Sequence, residues 1–240
     1  MAYRIALDAG HYSKTPGKRC LKKLDPNETR EWTLNDRIAD KVEIGLQAYT
    51  GYELLRLDDP TGKKEISTEK RAKAANDWGA DDLYSIHHNA GADGGKGGGI
   101  AVYVEKNADA NTVALQKALY NKLIEKTGLK GNRSNPTPKS NVSKVLTRSN
   151  MTAVLMELGF MDSQTDVPVI LSEDYADKCA AAIVEVMVES GNLQKKAEAP
   201  KKRYRVQTGA FSTKSKAEAQ VAALKKAGFD AIIKEEAAAQ

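Results

Sequence analysis

Three short apolar runs in this chain each lead directly to a side chain that can bind a metal ion or transfer a proton. These side chains are His11 at the first run, His87 and His88 at the second, and Glu157 at the third, and the 240-residue chain contains no other histidine. A short apolar run predicts a buried strand, and ligands bind at the carboxyl ends of the strands in open α/β sheets. We therefore expect imidazoles and a carboxylate to meet at one edge of a sheet.

The segments between the strand-like runs have the periodicity of amphipathic helices. Over residues 33–49, an apolar side chain recurs at every fourth position, which places these side chains on one helical face. Similar patterns cover residues 113–124 and 175–188. This alternation predicts an α/β fold for residues 1–193, namely a three-layer αβα domain with a mainly parallel, twisted sheet. The predicted strands cover residues 3–7, 83–86, 100–104 and 153–157.

The C-terminal part of the chain has a different organisation. Residues 194–203 (QKKAEAPKKR) are charged and interrupted by proline, which is typical of a linker. Residues 204–240 are predicted to form a small C-terminal βαβ unit, with a helix at 213–227 between two short strands. The strands are expected at residues 204–207 and 231–234. A unit of this size cannot bury a core by itself, so it should need a second copy.

The positive charge of the chain is concentrated in the same region. Residues 195–240 contain 11 Lys and Arg against 5 Asp and Glu, a net charge of +6, whereas the remainder contains 26 against 27, a net charge of −1. A basic tail favours an anionic partner such as nucleic acid or a bacterial cell wall. Nucleic acid is disfavoured because the tail lacks RNP-like and helix-turn-helix patterns and few aromatic residues lie among its lysines.

Other features restrict the class of protein. No apolar stretch approaches the ~20 residues that a membrane span needs, so membrane insertion is not expected. A strand predicted from residue 3 leaves no room for a signal peptide. We expect synthesis in the cytoplasm and, for a target beyond the membrane, a separate means of release. Cys20 and Cys179 lie far apart in no CxxC spacing, which predicts neither a disulfide framework nor a cysteine-zinc site.

The polar side chains at the predicted sheet edge suit a catalytic metal. Such a zinc site takes three nitrogen or oxygen ligands and keeps one position open for water. His11 and His87 supply two ligands, and the third should be a carboxylate, for which Glu28 and Glu31 are both available. Glu31 lies at the entrance of a predicted helix, from which its side chain can turn back towards the sheet edge.

Two further side chains have expected roles beside these ligands. Neighbouring strand residues point to opposite faces, so His87 and His88 cannot both bind the metal. We expect His87 to be the ligand and His88 to support the ligands or line a substrate groove. Glu157 is the expected general base, since a carboxylate on an adjacent strand can take a proton from a metal-activated water.

Four ordered blocks carry a family resemblance: LDAGH, REWTLN, RAKAANDWGADDLYSIHHNA and AVLMELGF. Together, over about residues 3–190, they resemble the zinc-dependent N-acetylmuramoyl-L-alanine amidases of the Amidase_3 type. The resemblance implies an α/β fold around one zinc ion. It also implies cleavage of the amide between N-acetylmuramic acid and L-alanine of the peptidoglycan stem. It places the zinc ligands on His11, Glu31 and His87 and the catalytic glutamate on Glu157, which favours Glu31 over Glu28.

The chain departs from this family at a few positions. Many members have two glycines around the first histidine (GHGG), whereas Tyr12 follows His11 here, so we expect Tyr12 to line the substrate groove. His88 replaces a residue that is commonly small, and Asn89 is expected to orient the loop after His87. The resemblance also gives Arg71 and Asn76 a structural role, because they match an R…AN signature.

The tail has a resemblance of its own. The segments YRVQTGAF, GF and AII, with the apolar positions between them, are similar to half of a sporulation-related repeat (SPOR) domain. SPOR modules bind peptidoglycan and consist of two βαβ halves. The resemblance therefore implies peptidoglycan and the anionic cell wall as partners. We hypothesise that two chains pair their halves, which would make a homodimer.

The combined interpretation is a bacteriolytic cell-wall hydrolase, either a phage endolysin released through a holin-type pore or a sporulation autolysin released by mother-cell lysis. Two alternatives stay open. One is a zinc peptidase that cuts the stem peptide, and the other is a non-catalytic peptidoglycan-binding protein. The identity of the metal ion also stays open, because manganese or cobalt can replace zinc at such a site in vitro.

Overall fold

The computed structural model describes residues 2–130, 137–139, 143–197 and 206–235. The chain divides into two compact units, Met1–Lys196 and Ala197–Gln240. The helices and strands follow in chain order: β1 (Tyr3–Ala9), α1 (Glu31–Leu46), β2 (Tyr49–Thr50), β3 (Tyr52–Arg56), α2 (Thr68–Trp78), β4 (Asp82–Asn89), β5 (Ile100–Tyr103), α3 (Ala110–Thr127), α4 (Lys144–Thr147), β6 (Thr152–Phe160), α5 (Val167–Ile170), α6 (Glu173–Ser190), β7 (Gln194–Lys195) and α7 (Lys214–Lys226).

The first unit is built on a five-stranded sheet with strand order β3-β1-β4-β6-β5. The first four of these strands are parallel, and β5 is antiparallel to β6. Parallel strands place their carboxyl ends at one edge, so the ends of β1, β4 and β6 lie next to one another there. The predicted three-layer α/β fold with a mainly parallel sheet is confirmed.

Helices cover both faces of this sheet. One face packs against α1, α3 and α6 and forms the larger core, and the other packs against α2 and α4. The four apolar residues that predicted α1 are all buried in the larger core: Leu34, Ile38, Val42 and Leu46. Among the described residues, no helix combines the length and apolar character needed to cross a membrane. Cys20 and Cys179 are both buried and free.

The ends of several elements differ from the predicted ends. Two central strands of the sheet extend beyond their predicted ends: β4 continues to Asn89 and β6 continues to Phe160. Helix α1 ends at Leu46 rather than at residue 49, since Tyr49 and Thr50 pair with β7 instead. Helix α3 extends beyond the predicted residues 113–124 and ends at Thr127, and the φ of 67° at Gly128 suits the left-handed C-cap conformation.

The start of the predicted linker belongs to the first unit. Gln194 and Lys195 form β7, which pairs with β2, and the backbone N–H of Lys196 donates to the carbonyl of Ala48. Pairing with β7 satisfies the backbone hydrogen bonds of β2. The charge pattern that suggested a linker gives no information about such backbone pairing. The rest of the predicted linker, from residue 198, lies outside the described residues.

The second unit contains the predicted helix as α7, and its described residues contain no strand. Residues 206–211 and 229–235 form no strand, and residues 204–205 lie outside the described part. A strand needs a neighbouring strand to satisfy its backbone, and one βαβ half offers few partners. No residue of α7 is buried, and Val206 and Ile232 are 87% and 88% exposed.

Candidate metal centre

The structure brings His11, Glu31 and His87 together. His11 follows β1, Glu31 is the first residue of α1, and His87 lies near the end of β4. One potential ligand atom from each side chain lies within 4.8 Å of the other two. The Oε1 atom of Glu31 is 3.0 Å from Nδ1 of His87, and its Oε2 atom is 3.3 Å from Nε2 of His11. Glu28 instead forms an ion pair with Arg19 at 2.9 Å.

Local backbone geometry makes this convergence possible. His11 has a φ of 69°, which turns the chain sharply after β1. A Cβ atom at Gly10 would lie 2.1 Å from Cε1 of His87, far inside van der Waals contact. Glycine at this position therefore lets the imidazole of His87 lie directly against the backbone. The rings of His11 and His87 meet edge to face, with centroids 5.0 Å apart.

Arg71 holds the backbone on which His11 is carried. Its guanidinium donates to Oδ1 of Asp8 at 2.5 Å and to the carbonyls of Ala9 and His11 at 2.7 Å each. Asp8 also accepts from the hydroxyl of Ser85 at 2.6 Å. Arg71 and Asp8 are both 2% exposed, so this charged pair is fully enclosed. The contacts agree with the structural role that was expected of Arg71.

Asn76, the other residue of that signature, lies away from the metal ligands. Its side-chain amide donates to the carbonyl of Arg148 at 2.7 Å, and its Oδ1 accepts from the backbone of Asn150 at 2.9 Å. Asn76 therefore ties α2 to the turn before β6.

The charges of the cluster suit a divalent cation. Burial opposes ionisation of Glu31, but hydrogen bonds and charge interactions with His11 and His87 outweigh it and hold the pKa of Glu31 well below its usual range. Burial lowers the pKa of His87, but its hydrogen bond and charge interaction with Glu31 outweigh burial, so the pKa of His87 is raised overall. The Oε2 atom of Glu31 is enclosed, and its neighbours among the described residues are the ion-pair partners His11 and Lys18. A buried carboxylate between two imidazoles is a donor set that zinc prefers.

Glu157 lies directly beside His87. The two residues are partners in the parallel register of β4 and β6, so their side chains share one face of the sheet. Burial, with the charge of Glu31, raises the pKa of Glu157 to about 7, against the opposing effects of His87 and Lys18. Its Oε2 atom is enclosed without a hydrogen bond among the described residues. Glu157 can therefore exchange a proton near neutral pH, next to a potential metal ligand.

His88 points to the opposite face, as strand alternation predicts, and is only 2% exposed. Its Nδ1 atom lies 2.8 Å from Oδ1 of Asn35, and its backbone N–H donates to Oε1 of Glu31 at 3.2 Å. Burial lowers the pKa of His88 to about 3. Because α1 covers that face, the structure places His88 in the interior beside Asn35 and Glu31 rather than at a groove.

The remaining predicted residues shape the surrounding loops. Asn89 accepts from the backbone of Met161 through its carbonyl and from that of Ala90 through Oδ1, both at 2.8 Å. These bonds follow a register shift between His87 and Asn89 and fix the loop after His87. Tyr12 is partly exposed, and its backbone N–H donates to the hydroxyl of Thr15 at 3.1 Å.

Two residues near the site were missed in the sequence. The Nζ atom of Lys18 lies 3.6 Å from Oε2 of Glu31, and the carbonyl of Lys18 accepts from the backbone N–H of Glu31 at 3.1 Å. Tyr103 lies on β5 with its phenol near Glu157 and Asn89, and burial together with the charge of Glu157 raises its pKa. The alternation of side chains between the two faces of β5 could have placed Tyr103 on the face of the site. No local pattern distinguishes Lys18 from its neighbouring lysines.

Comparison with known families gives matches to both units. The sequence matches the Amidase_3 family, described as N-acetylmuramoyl-L-alanine amidase, over residues 5–189. It matches the SPOR domain over residues 196–239.

Individual proteins show the same similarity. The chain is 31% identical to an N-acetylmuramoyl-L-alanine amidase of Bacillus licheniformis, covering 96% of this chain and 84% of that protein. It is 29% identical to a sporulation-specific N-acetylmuramoyl-L-alanine amidase of Bacillus subtilis (strain 168), with the same coverage. It is 30% identical to an endolysin of Bacillus phage SPP1, covering 87% of this chain and 74% of the endolysin. Among solved structures, an N-acetylmuramoyl-L-alanine amidase from Clostridium difficile 630 superposes with a TM-score of 0.69 at 28% identity, over 78% of this chain and 96% of that one.

Proposed function

The chain belongs to the Amidase_3 family of N-acetylmuramoyl-L-alanine amidases, and on this premise we propose that it is a zinc-dependent peptidoglycan amidase. Its substrate is the amide bond between N-acetylmuramic acid and L-alanine of the stem peptide, and it acts on the bacterial cell wall. We assign His11, Glu31 and His87 as the metal ligands and Glu157 as the general base.

One observation carries this assignment. The three ligand side chains come from separate parts of the chain and meet within 4.8 Å, with Glu157 as the register neighbour of one of them. The donor set also fits zinc, because it combines two imidazoles with the buried carboxylate of Glu31.

The mechanism follows from the positions of these side chains. A zinc ion bound here would polarise the scissile carbonyl and lower the pKa of water to about 7. Glu157 takes a proton from the attacking water at its carboxylate and returns it to the leaving amide nitrogen. Burial raises the pKa of Glu157 to about 7 in the metal-free site, and a bound cation would lower it, which keeps the carboxylate ionised and able to accept a proton at neutral pH. Lys18 and Tyr103 lie within the electrostatic reach of Glu157.

The proposal predicts the chemistry of the products. Digestion of purified peptidoglycan should expose new amino termini on L-alanine, as identified by labelling of the termini followed by hydrolysis. A chelator should stop the release of these termini. Added zinc should restore the release once about one ion is bound per chain. New termini on other stem residues would instead indicate a peptidase, and binding without new termini would indicate a non-catalytic protein.

For residues 204–240, we infer binding to peptidoglycan and to the anionic polymers of the wall. The SPOR match and the net charge of +6 over residues 195–240 support this role. We also infer that two chains complete one module by pairing their halves. Support comes from α7, which buries none of its residues, and from the exposure of Val206, Phe229 and Ile232.

Removal of residues 197–240 is expected to separate binding from catalysis. The cut after Lys196 keeps β7 paired with β2, so the first unit should stay folded. Binding to purified walls at low salt should fall by about tenfold, because electrostatic attraction to the wall is lost. Turnover of soluble muropeptides should be unchanged, as measured in parallel with sedimentation of the wall-bound protein.

The same truncation tests the dimer. Light scattering at micromolar concentration should show a dimer for the full chain and a monomer for the truncated one. A monomeric full chain would refute the pairing of half modules without affecting the amidase assignment.

A further inference from the structure

His88 is a buried imidazole that the proposed reaction does not use. It lies on the α1 side of the sheet and is 2% exposed, and its Nε2 atom has no hydrogen-bond partner among the described residues. Its Nδ1 atom, in contrast, lies 2.8 Å from Oδ1 of Asn35. A buried histidine that replaces a commonly small residue needs a physical reason.

The hydrogen-bond partners determine which ring nitrogen of His88 carries a proton. The carbonyl of Gly10 can only accept, so the group of Asn35 that lies 3.1 Å from it must be the amide nitrogen. The Oδ1 atom of Asn35 therefore faces His88, and it too can only accept. Nδ1 of His88 must then be the donor, and this holds whether the ring is neutral or charged.

This chain of bonds connects all three ligand-bearing segments. The side chain of His88 donates to Asn35 on α1, and Asn35 donates to Gly10, the residue before His11. The backbone of His88 donates to Oε1 of Glu31 at 3.2 Å, and Oε2 points towards His11. His88 itself directly follows His87 on β4.

We propose that His88 and Asn35 are positioning residues that hold the segments of His11, Glu31 and His87 in register, so that the metal site is formed before the ion binds. The inference rests on the proposed ligand set. Direct hydrogen-bond partners of metal ligands typically change metal affinity by 10–100-fold when they are lost. The side chains of His88 and Asn35 act one bond further out, through Gly10, so we expect the lower end of this range. Asn35 is fully buried at 0% exposure, so no water can replace its bond to Gly10 without rearrangement.

The test compares variants of β4. His88→Phe keeps most of the ring volume and removes the donor, whereas His88→Asn places an amide N–H near the position of Nδ1. Tyr84→Phe is the matched control, because Tyr84 lies on the same strand and face, about 13 Å away, and donates a buried hydrogen bond to Asp82 at 2.9 Å. For each full-length protein, zinc affinity is measured by competition with a chelator, and the unfolding temperature is measured without metal.

The expected result is a zinc Kd raised by about tenfold in His88→Phe and restored towards the wild-type value in His88→Asn. Tyr84→Phe should lower the unfolding temperature of the metal-free protein and leave the zinc Kd unchanged. An unchanged Kd in His88→Phe would overturn the proposal, as would an equal rise in Tyr84→Phe, since the effect would then be a general loss of stability.

A second measurement needs neither metal nor activity. Long-range ¹H–¹⁵N correlation spectra of the metal-free protein should show the proton of His88 on Nδ1, and a proton on Nε2 alone would contradict the network. Failure of the amidase assignment is distinguishable, because a chain that binds zinc with the expected variant pattern but releases no L-alanine termini would refute only the proposed function.

Discussion

Replacement of Glu157 by glutamine is expected to reduce amide hydrolysis by about a thousandfold, within the range for loss of a general acid–base group, while zinc stays bound. Glutamine has nearly the shape of glutamate but cannot accept a proton from water. Glu157 is not among the three clustered ligands, so metal content should be retained. Release of L-alanine termini and bound zinc are measured on the same preparation.

A matched control removes the same charge elsewhere. Glu65 is exposed in the loop before α2, and Glu65→Gln should leave both activity and metal content unchanged. Full activity in Glu157→Gln would remove Glu157 as the base. Loss of zinc together with activity would instead assign it to the ligand set.

The same substitution should change how stability depends on pH. Burial raises the pKa of Glu157 from 4.5 to about 7, so the folded metal-free protein binds an extra proton between these values. Stability therefore falls as pH rises from about 4.5 through about 7, because the unfolded state ionises more easily. Glu157→Gln removes this loss, worth about 3 kcal/mol for a shift of this size.

Urea unfolding of the metal-free proteins checks this sign. Between about pH 4 and pH 8, the free energy of unfolding of Glu157→Gln should rise relative to that of the wild type. The difference between Glu65→Gln and the wild type should stay constant over this range. A difference that does not depend on pH would show that the carboxyl group of Glu157 ionises as it does in water.

Replacement of Arg71 by methionine is expected to lower the free energy of unfolding by about 3–5 kcal/mol, the usual effect of breaking a buried ion pair. The loss would leave Asp8 charged and enclosed, and the carbonyls of Ala9 and His11 would lose their donors. Zinc affinity should fall as well, since the backbone of His11 is no longer held. Denaturant unfolding and chelator competition measure the two effects.

Two comparisons isolate the cause. Arg148 is exposed, and Arg148→Met should change stability little. Adding Asp8→Asn to Arg71→Met should recover part of the lost stability, because the unpaired buried charge is removed. A variant Arg71→Met as stable as Arg148→Met would mean that the buried pair does not stabilise this fold.

Features that depend on neighbouring residues were predictable from the sequence, and features that depend on distant contacts were not. The strands that carry His87 and Glu157 were predictable because apolar runs and side-chain alternation are properties of neighbouring residues. The choice between Glu28 and Glu31 was only partly local: the entrance of the predicted helix and the family resemblance both favoured Glu31, and the structure places Glu28 against Arg19. Lys18 was missed because its approach to Glu31 depends on the path of a loop.

The tail shows the opposite case. Its apolar pattern predicts two strands, yet residues 206–211 and 229–235 form none. Local β-propensity describes how side chains fit a sheet, but a strand also needs a partner for its backbone. If two chains pair as proposed, these strands should form only in the dimer.

By itself, the sequence determined the class of fold, the two-part organisation and the residues available for chemistry, because periodicity and residue type act over short distances. Only the tertiary structure decided that α1 covers the face of His88 and brings Asn35 to its ring, and that Arg71 donates to the backbone of His11. It also decided that Glu157 is enclosed enough for its pKa to rise to about 7. These properties depend on burial and on contacts between segments far apart in the chain, which no local pattern encodes.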